Sequence, residues 1–321
     1  MRFLIVYISL ILGLTACFKE DVKVNPPTPG DVETVQIEIG YPYLYQVYYN
    51  CENNQIVSTN TKYDWDLAFE CGALGQHIKL NTAKGMFSSN QGQVDFNSVT
   101  SANGVSWQWD ASSGDLDSTA IGDWNNQTVY IIDLQTDQNG NNLGYKKVIF
   151  NQVTDTSYTF TYANLDGSGL NTYHILKDDN VNFICFSFAN GGETKHIEPP
   201  KKDWDLWFTN YQNFFTNLPL PFVITGVLSN RYQNIMIAED TLNQFVNIQL
   251  KDTINYTFTN QADEIGYDWK IRNPQDNSFT IDQKKSYILK NQKGLFFKIR
   301  FIDFYNSSGQ KGYPKFEIQK L

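Results

Sequence analysis

The run Asp64-Trp65-Asp66-Leu67-Ala68-Phe69 returns later in the chain as Asp203-Trp204-Asp205-Leu206-Trp207-Phe208. A Trp-centred run written twice points to a duplicated fold or a duplicated surface. Three further landmarks follow each copy in the same order. After Trp65 come Ile121-Gly122-Asp123-Trp124, residues 129–132 (VYII) and residues 144–150 (GYKKVIF). After Trp204 come Ile265-Gly266-Tyr267-Asp268-Trp269, residues 286–289 (SYIL) and residues 294–301 (GLFFKIRF). Four landmarks in one order favour a duplicated fold. Gly and Asn cluster at 164–171 (NLDGSGLN), which places the expected boundary there and gives modules 33–165 and 166–321.

Each half reads as strands. Residues 35–39 (VQIEI) alternate apolar and polar, the period of a half-buried strand. The same habit marks 145–150, 158–162, 183–188, 246–250 and 296–301. Asn103-Gly104, Asn139-Gly140 and Asp166-Gly167 mark tight turns. No 12-residue segment beyond the N-terminal run carries a helical stripe. The content of 19 Tyr, 22 Phe and 7 Trp favours strands in the same way. The expected class is all-β, two tandem antiparallel modules. Strand alternation in Trp-Asp-Leu would put Trp65 and Leu67 on one face, with Asp64 and Asp66 on the other, free for solvent, a turn or a partner. Trp65, Trp124, Trp204 and Trp269 are then structural landmarks of each copy. The paired acids have no nearby His and make a poor active site.

The N-terminus is a targeting segment. Arg2 precedes an apolar run, residues 4–14, too short to span a bilayer, and Leu14-Thr15-Ala16-Cys17 follows. This resembles a bacterial lipobox, with residues 1–16 removed and Cys17 acylated as the lipid anchor. Residues 17–32, rich in Pro and charge, form a spacer, and Lys19-Glu20-Asp21 resembles an export signal to the cell exterior. The expected location is the outer membrane, facing outward.

A net charge of −9 argues against nucleic acid as a partner. Cys51, Cys71 and Cys185 remain after Cys17, and Cys51 with Cys71 is a possible disulfide across a loop of about 20 residues. No Cys/His spacing suggests zinc, and no nucleophile, metalloprotease or phosphate-loop motif occurs. The oxygen-rich runs 110–117 and 137–141 lack the Gly and Glu of a calcium loop and read as turns. No enzyme activity is expected.

Residues 203–211 (DWDLWFTNY), 221–230 (PFVITGVLSN), 265–269 (IGYDW) and 287–321 resemble the HmuY-like haem-binding lipoprotein family of Bacteroidetes, and the first half repeats the pattern more loosely. The resemblance implies a β-sandwich-like module, present twice. It also implies haem held between two axial His or Met side chains, one of them a few residues after the second Trp landmark. Residues 270–278 and 125–128 hold neither type, and His77, His174 and His196 lie elsewhere. The expectation is therefore a non-catalytic binding or assembly subunit without a cofactor, docking on an outer-membrane β-barrel or other surface lipoproteins. The alternatives are a haem carrier and a glycan- or peptide-binding surface around Trp107-Gln108-Trp109.

Overall fold

A computed structural model describes residues 28–124 and 127–321. Cys17, the signal segment and Asn125–Asn126 lie outside the described residues. The chain forms β1 (Glu33–Gln36), β2 (Tyr45–Asn50), β3 (Gln55–Thr61), β4 (Leu67–Glu70), β5 (Ile78–Leu80), β6 (Phe87–Asn90), β7 (Val129–Asp133), β8 (Tyr145–Val153), β9 (Ser157–Asn164) and β10 (Asn171–Leu176). It continues through β11 (Phe183–Ser187), β12 (Glu193–Lys195), β13 (Leu206–Asn213), β14 (Phe222–Ser229), β15 (Met236–Asp240), β16 (Lys270–Arg272), β17 (Phe279–Ile281), β18 (Ser286–Lys290), β19 (Phe296–Tyr305) and β20 (Lys311–Lys320). Among the described residues the only helical pieces are short 3-10 turns, so the all-β class holds.

Four sheets carry the fold, in the orders β5-β4-β11-β12, β6-β7-β8-β9-β10, β14-β13-β2-β3 and β15-β18-β19-β20-β1, with a β16-β17 ribbon added. Written this way, the first pair of orders maps onto the second strand for strand. β4 through β12 fill the places taken by β13, β14, β15, β18, β19, β20, β1, β2 and β3. The repeat is real at the level of topology, but the second copy is closed by the first three strands of the chain. A cut at 165/166 would separate β10 from β9 and β11 from β4, and strand β1 from β20. The Gly/Asn cluster at 164–171 is the β9–β10 hairpin turn, with Gly167 and Gly169 at positive φ. Turn chemistry reads alike in a hairpin and in a linker, which is why the sequence placed a boundary there.

Each copy is a two-layer sandwich. Leu67, Phe69, Tyr130, Phe150, Phe160 and Phe186 belong to one core. Leu206, Phe208, Tyr287, Phe301, Phe316 and Trp269 belong to the other. Full burial of such side chains stabilises by about 1.5–3 kcal/mol each. The inner sheets also touch one another. In β2, Val47 and Tyr49 face their own core while Tyr48 faces the seam; in β11, Ile184 and Phe186 face the core while Phe183 and Cys185 face the seam. Both faces of these strands are therefore buried, and the alternation in 183–188 separates two apolar environments rather than core from water.

The Trp-Asp-Leu motif departs from simple alternation because its Trp precedes the strand. β4 and β13 start at Leu67 and Leu206, which enter the cores, whereas Trp65 and Trp204 sit in the seam. The two indoles bond across it. Trp65 Nε1 donates to Gln46 Oε1 at 3.0 Å, and Trp204 Nε1 donates to Glu198 Oε1 at 3.1 Å. Asp66, expected to meet solvent, a turn or a partner, and its counterpart Asp205 are 5% and 2% exposed. Asp66 accepts the Phe188 N–H at 2.7 Å and pairs with Lys84 at 2.5 Å, and Asp205 accepts the Cys51 N–H at 2.8 Å. Asn81 and Asn230 complete the matched turns, each donating its side-chain amide to the carbonyl of the motif Trp. Asp64 stays half-buried and accepts the Thr61 N–H.

Two further expectations change. Cys51 and Cys71 are free thiols in different sandwiches, because β2 pairs with β3 and β13 while β4 pairs with β5 and β11. Residues 246–250 form no strand. Phe245 and Ile248 are buried three residues apart, the period of a 3-10 turn, and Val246 points to solvent. Lys298 fixes that turn by donating to the carbonyls of Phe245 (2.7 Å) and Ile248 (3.0 Å), and Lys147 does the same at Val99 (3.1 Å) in the other copy.

Candidate groove for an apolar anion

An apolar opening lies at the edge of the second sandwich, where the β13–β14 hairpin, the Trp269 loop and the end of β19 meet. It encloses about 720 Å³. Phe215, Leu218, Phe222, Val223, Phe279 and Phe304 supply its walls. Two local features lie beside it. Gly226 lets β14 bridge Gly266, since a Cβ there would lie 2.3 Å from the Gly266 oxygen. Residues 218–221 (LPLP) precede β14, whose first residue Phe222 is 63% exposed.

Four cations line this apolar space: Lys62, Lys270, Arg272 and Lys311. No carboxylate lines it, and none of the four forms an ion pair among the described residues. Lys270 is the most enclosed. Its Nζ donates to the carbonyls of Thr225 (2.5 Å) and Tyr267 (3.3 Å) and lies over Trp269 (4.3 Å) and Phe304 (5.1 Å). Burial pushes its pKa down to about 7, and the more distant Asp268 offsets this only in part. Burial also lowers Lys62. Arg272 is steered by Asn277 Oδ1, and Lys311 reaches the Asn277 carbonyl at 3.3 Å. In a chain of net charge −9, basic side chains without acid partners around an apolar wall suit an apolar anion.

The residues singled out in sequence fall mostly outside this groove. Trp269 lies beneath it in the core, stacked on Phe301 with centroids 4.0 Å apart. Trp124 occupies the equivalent place in the first sandwich, and Trp65 and Trp204 are in the seam. His77 pairs through Nδ1 with Glu70 at 2.6 Å, His174 contacts Thr159 on an outer strand, and His196 is exposed. Trp107 stacks on Tyr145 and Trp109 on Phe214. Asp137 accepts the N–H groups of Asn139 and Asn141, and Asp110 those of Leu80 and Ala120, so both act as turn and loop anchors. The groove cations were missed because they are scattered singly through the sequence.

The seam holds a second, smaller space of about 80 Å³. Lys79, Asp110 and Glu198 border it, and burial raises Asp110 to about 6 and Glu198 to about 7. Glu198 is nevertheless fully engaged by Phe183 N–H, Asn182 and Trp204. Lys79 and Glu198 bond across the seam, to Tyr232 and Trp204.

A haem iron would need an axial His, Met, Cys or Tyr. No His, Met or Cys lines the groove. The phenols Tyr43 and Tyr267 do, but burial raises both, Tyr43 to about 12, which disfavours the phenolate that binds iron. The walls and cations therefore fit a porphyrin ring and its carboxylates, while the metal finds no evident ligand.

A model of the family described as "HmuY protein" matches residues 43–318. No curated protein matches the chain. Solved structures similar to the chain include the apo HmuY analog of Tannerella forsythia, at 10% identity and TM-score 0.26, covering 92% of this chain and 97% of that one. Apo PinO from Porphyromonas gingivitis is similar at 10% identity and TM-score 0.29, covering 91% and 97%. An HmuY-like heme binding protein from Bacteroides vulgatus shares 8% identity at TM-score 0.24, covering 89% of this chain and 90% of that one. Among the described residues no helix is long and apolar enough to cross a membrane. The match runs through both sandwiches and the seam between them, and the chain belongs to the HmuY family.

Proposed function

We propose that the protein is a non-catalytic, lipid-anchored binding protein of the outer cell surface, whose second-sandwich groove takes a flat apolar molecule bearing two or more carboxylates. The observation that carries this is the convergence of Lys62, Lys270, Arg272 and Lys311 on Phe and Leu walls without one acid among them. Family membership makes a porphyrin the first candidate, with haem bound by its ring and propionates rather than through its iron. Titration of the full chain with haem and with iron-free protoporphyrin tests this. Affinities within about threefold of each other, both falling about tenfold in Arg272→Gln, are expected. A haem affinity a hundredfold above that of the iron-free ring, lost on substitution of a histidine, would overturn it.

A second reading is favoured by the exposed apolar rim. Phe214, Leu220 and Phe222 are 47%, 41% and 63% exposed beside the groove mouth. Such a rim suits an assembly subunit docking on an outer-membrane β-barrel or another surface lipoprotein. Its test is a gentle-detergent pull-down, in which loss of the same barrel partner on Phe222→Ser supports docking at this rim.

A further inference from the structure

The same place in the first sandwich carries opposite chemistry. Register defines the equivalence, since Leu67 pairs with Leu80 and Leu206 with Ser229, so Gln76 corresponds to Thr225 and His77 to Gly226. Trp124 corresponds to Trp269. Phe150 corresponds to Phe301, which sets Val153 at the position of Phe304. These residues, with Asp123, Asn151 and Gln152, surround an open cavity of about 420 Å³. Where the Lys270 ammonium donates to the Thr225 carbonyl in one copy, the Trp124 indole donates to the Gln76 carbonyl in the other, at 2.8 Å.

We infer that this first-sandwich cavity is a saccharide-binding site, with Trp124 as the platform for a sugar ring and Asp123, Asn151 and Gln152 as its hydroxyl partners. Three observations carry this. The cavity has no Lys or Arg, and its one imidazole is held by Glu70, so the groove chemistry that suits an anion is missing. Apart from Val153 and Trp124 it is polar, so an apolar ligand gains little. Planar hydrogen-bonding groups converge instead. The side chains of Gln76, Asp123 and Gln152 make no hydrogen bond among the described residues, and Asn151 accepts from Thr161 at 2.9 Å through Oδ1, which leaves its amide N–H groups to donate. Carboxylate and amide groups together both accept from and donate to neighbouring hydroxyls of one sugar ring. The indole is preorganised by the bond to Gln76 and by packing on Phe150, with centroids 5.7 Å apart. It is half-buried and borders the cavity. An aromatic wall with a few placed polar groups in this volume range is the usual form of a small-ligand site. The bond of His77 Nδ1 to Glu70 leaves Nε2 as the ring nitrogen open to a ligand.

The test uses the full chain and a glycan array, followed by titration of free glucose, galactose, mannose and N-acetylglucosamine and their short oligomers, read by NMR shifts and tryptophan fluorescence. Saturable binding is expected. Trp124→Ala should weaken it about tenfold or more and Gln152→Ala about threefold, while Lys270→Met leaves it unchanged. Gln152 is exposed at the end of β8, so its variant tests the site even where Trp124→Ala fails to fold. No saturable binder on the array, or binding that survives Gln152→Ala and a folded Trp124→Ala alike, overturns the assignment. So does stronger binding of ethanolamine than of any sugar, which would mark a site for amines at Asp123. Failure here leaves the porphyrin titrations untouched, because those read the other groove.

Discussion

Lys270→Met separates what the groove does from what the fold needs. Burial holds the folded Lys270 at about 7 instead of 10.5, and one pKa unit is 1.36 kcal/mol, so keeping the ammonium in place costs about 5 kcal/mol relative to water. Methionine removes that cost and keeps the length of the chain. It forfeits the cation–π contacts to Trp269 and Phe304, about 1 kcal/mol each. It also leaves the Thr225 and Tyr267 carbonyls without this donor, about 1.5 kcal/mol together. The net expectation is a variant about 1.5 kcal/mol more stable at pH 6 that binds the apolar anion more weakly. The pH dependence follows from the sign of the shift. A base with a depressed folded pKa contributes stability that is present above its unfolded value, near 10.5, and is lost as pH falls toward 7. Below 7 the deficit is constant. The advantage of the variant should therefore shrink from pH 7 upward and reverse by pH 10, where most of the cost is gone and the neutral amine keeps its hydrogen bonds. Urea unfolding of both proteins at pH 6, 8 and 10 measures this. A variant less stable than the wild type at pH 6, or a difference that ignores pH, would refute the reasoning.

Two other perturbations test the seam and the motif. Glu198 has its pKa raised to about 7 by burial, so its contribution is fully present below about 4.5 and is lost as pH rises through 7. Wild type should lose about 3 kcal/mol more than Glu198→Gln between pH 4.5 and 7.5, measured by the same urea method, and parallel pH profiles would count against it. Asp66→Ala strands a buried Lys84 and should cost about 3–5 kcal/mol, with part of the loss recovered in Asp66→Ala/Lys84→Met. Asp205 lacks a buried lysine partner, so Asp205→Ala should cost about 1–3 kcal/mol, and equal losses at the two sites in thermal unfolding would contradict this account.

Much of the architecture is legible in the residues because local rules and tertiary packing agree there. The repeated Trp-Asp-Leu and Ile-Gly landmarks mark equivalent strands, and the Asn-Gly and Asp-Gly pairs do sit in turns with positive φ at Gly104, Gly140 and Gly167. What failed did so for identifiable reasons. The first three strands carry no landmark, so nothing in 33–61 advertises that they complete the second sandwich. Trp65 looks like a strand residue, yet it belongs to the turn before one, where side-chain alternation has not begun. Val246-Asn247-Ile248-Gln249-Leu250 alternates in type, but a lysine from a distant strand rewards the 3-10 turn instead. The groove is less legible still, because Lys62, Lys270, Arg272 and Lys311 come from separate segments and meet only through topology.

That topology also decides where the copies are free to differ. The inner sheets bury both faces, and their seam joins Trp65 to Gln46, Trp204 to Glu198 and Asn182 to Asn230. A substitution there must suit two sandwiches at once. The openings beside β14 in one copy and before β5 in the other lie away from the seam, and each is built by a hairpin, a Trp loop and a strand end. One extra residue in the second loop, Tyr267 between Gly266 and Asp268, accompanies the bridge from Gly266 to Val227 that forces glycine at 226. The first copy has the shorter loop and tolerates the full imidazole of His77 at the matching place. Loop length and one glycine thus accompany the difference between an apolar cationic groove and a polar cavity without lysine or arginine. Transplanting Tyr267 into the first loop would place its backbone against His77, so a chain carrying that insertion should fold well only together with His77→Gly.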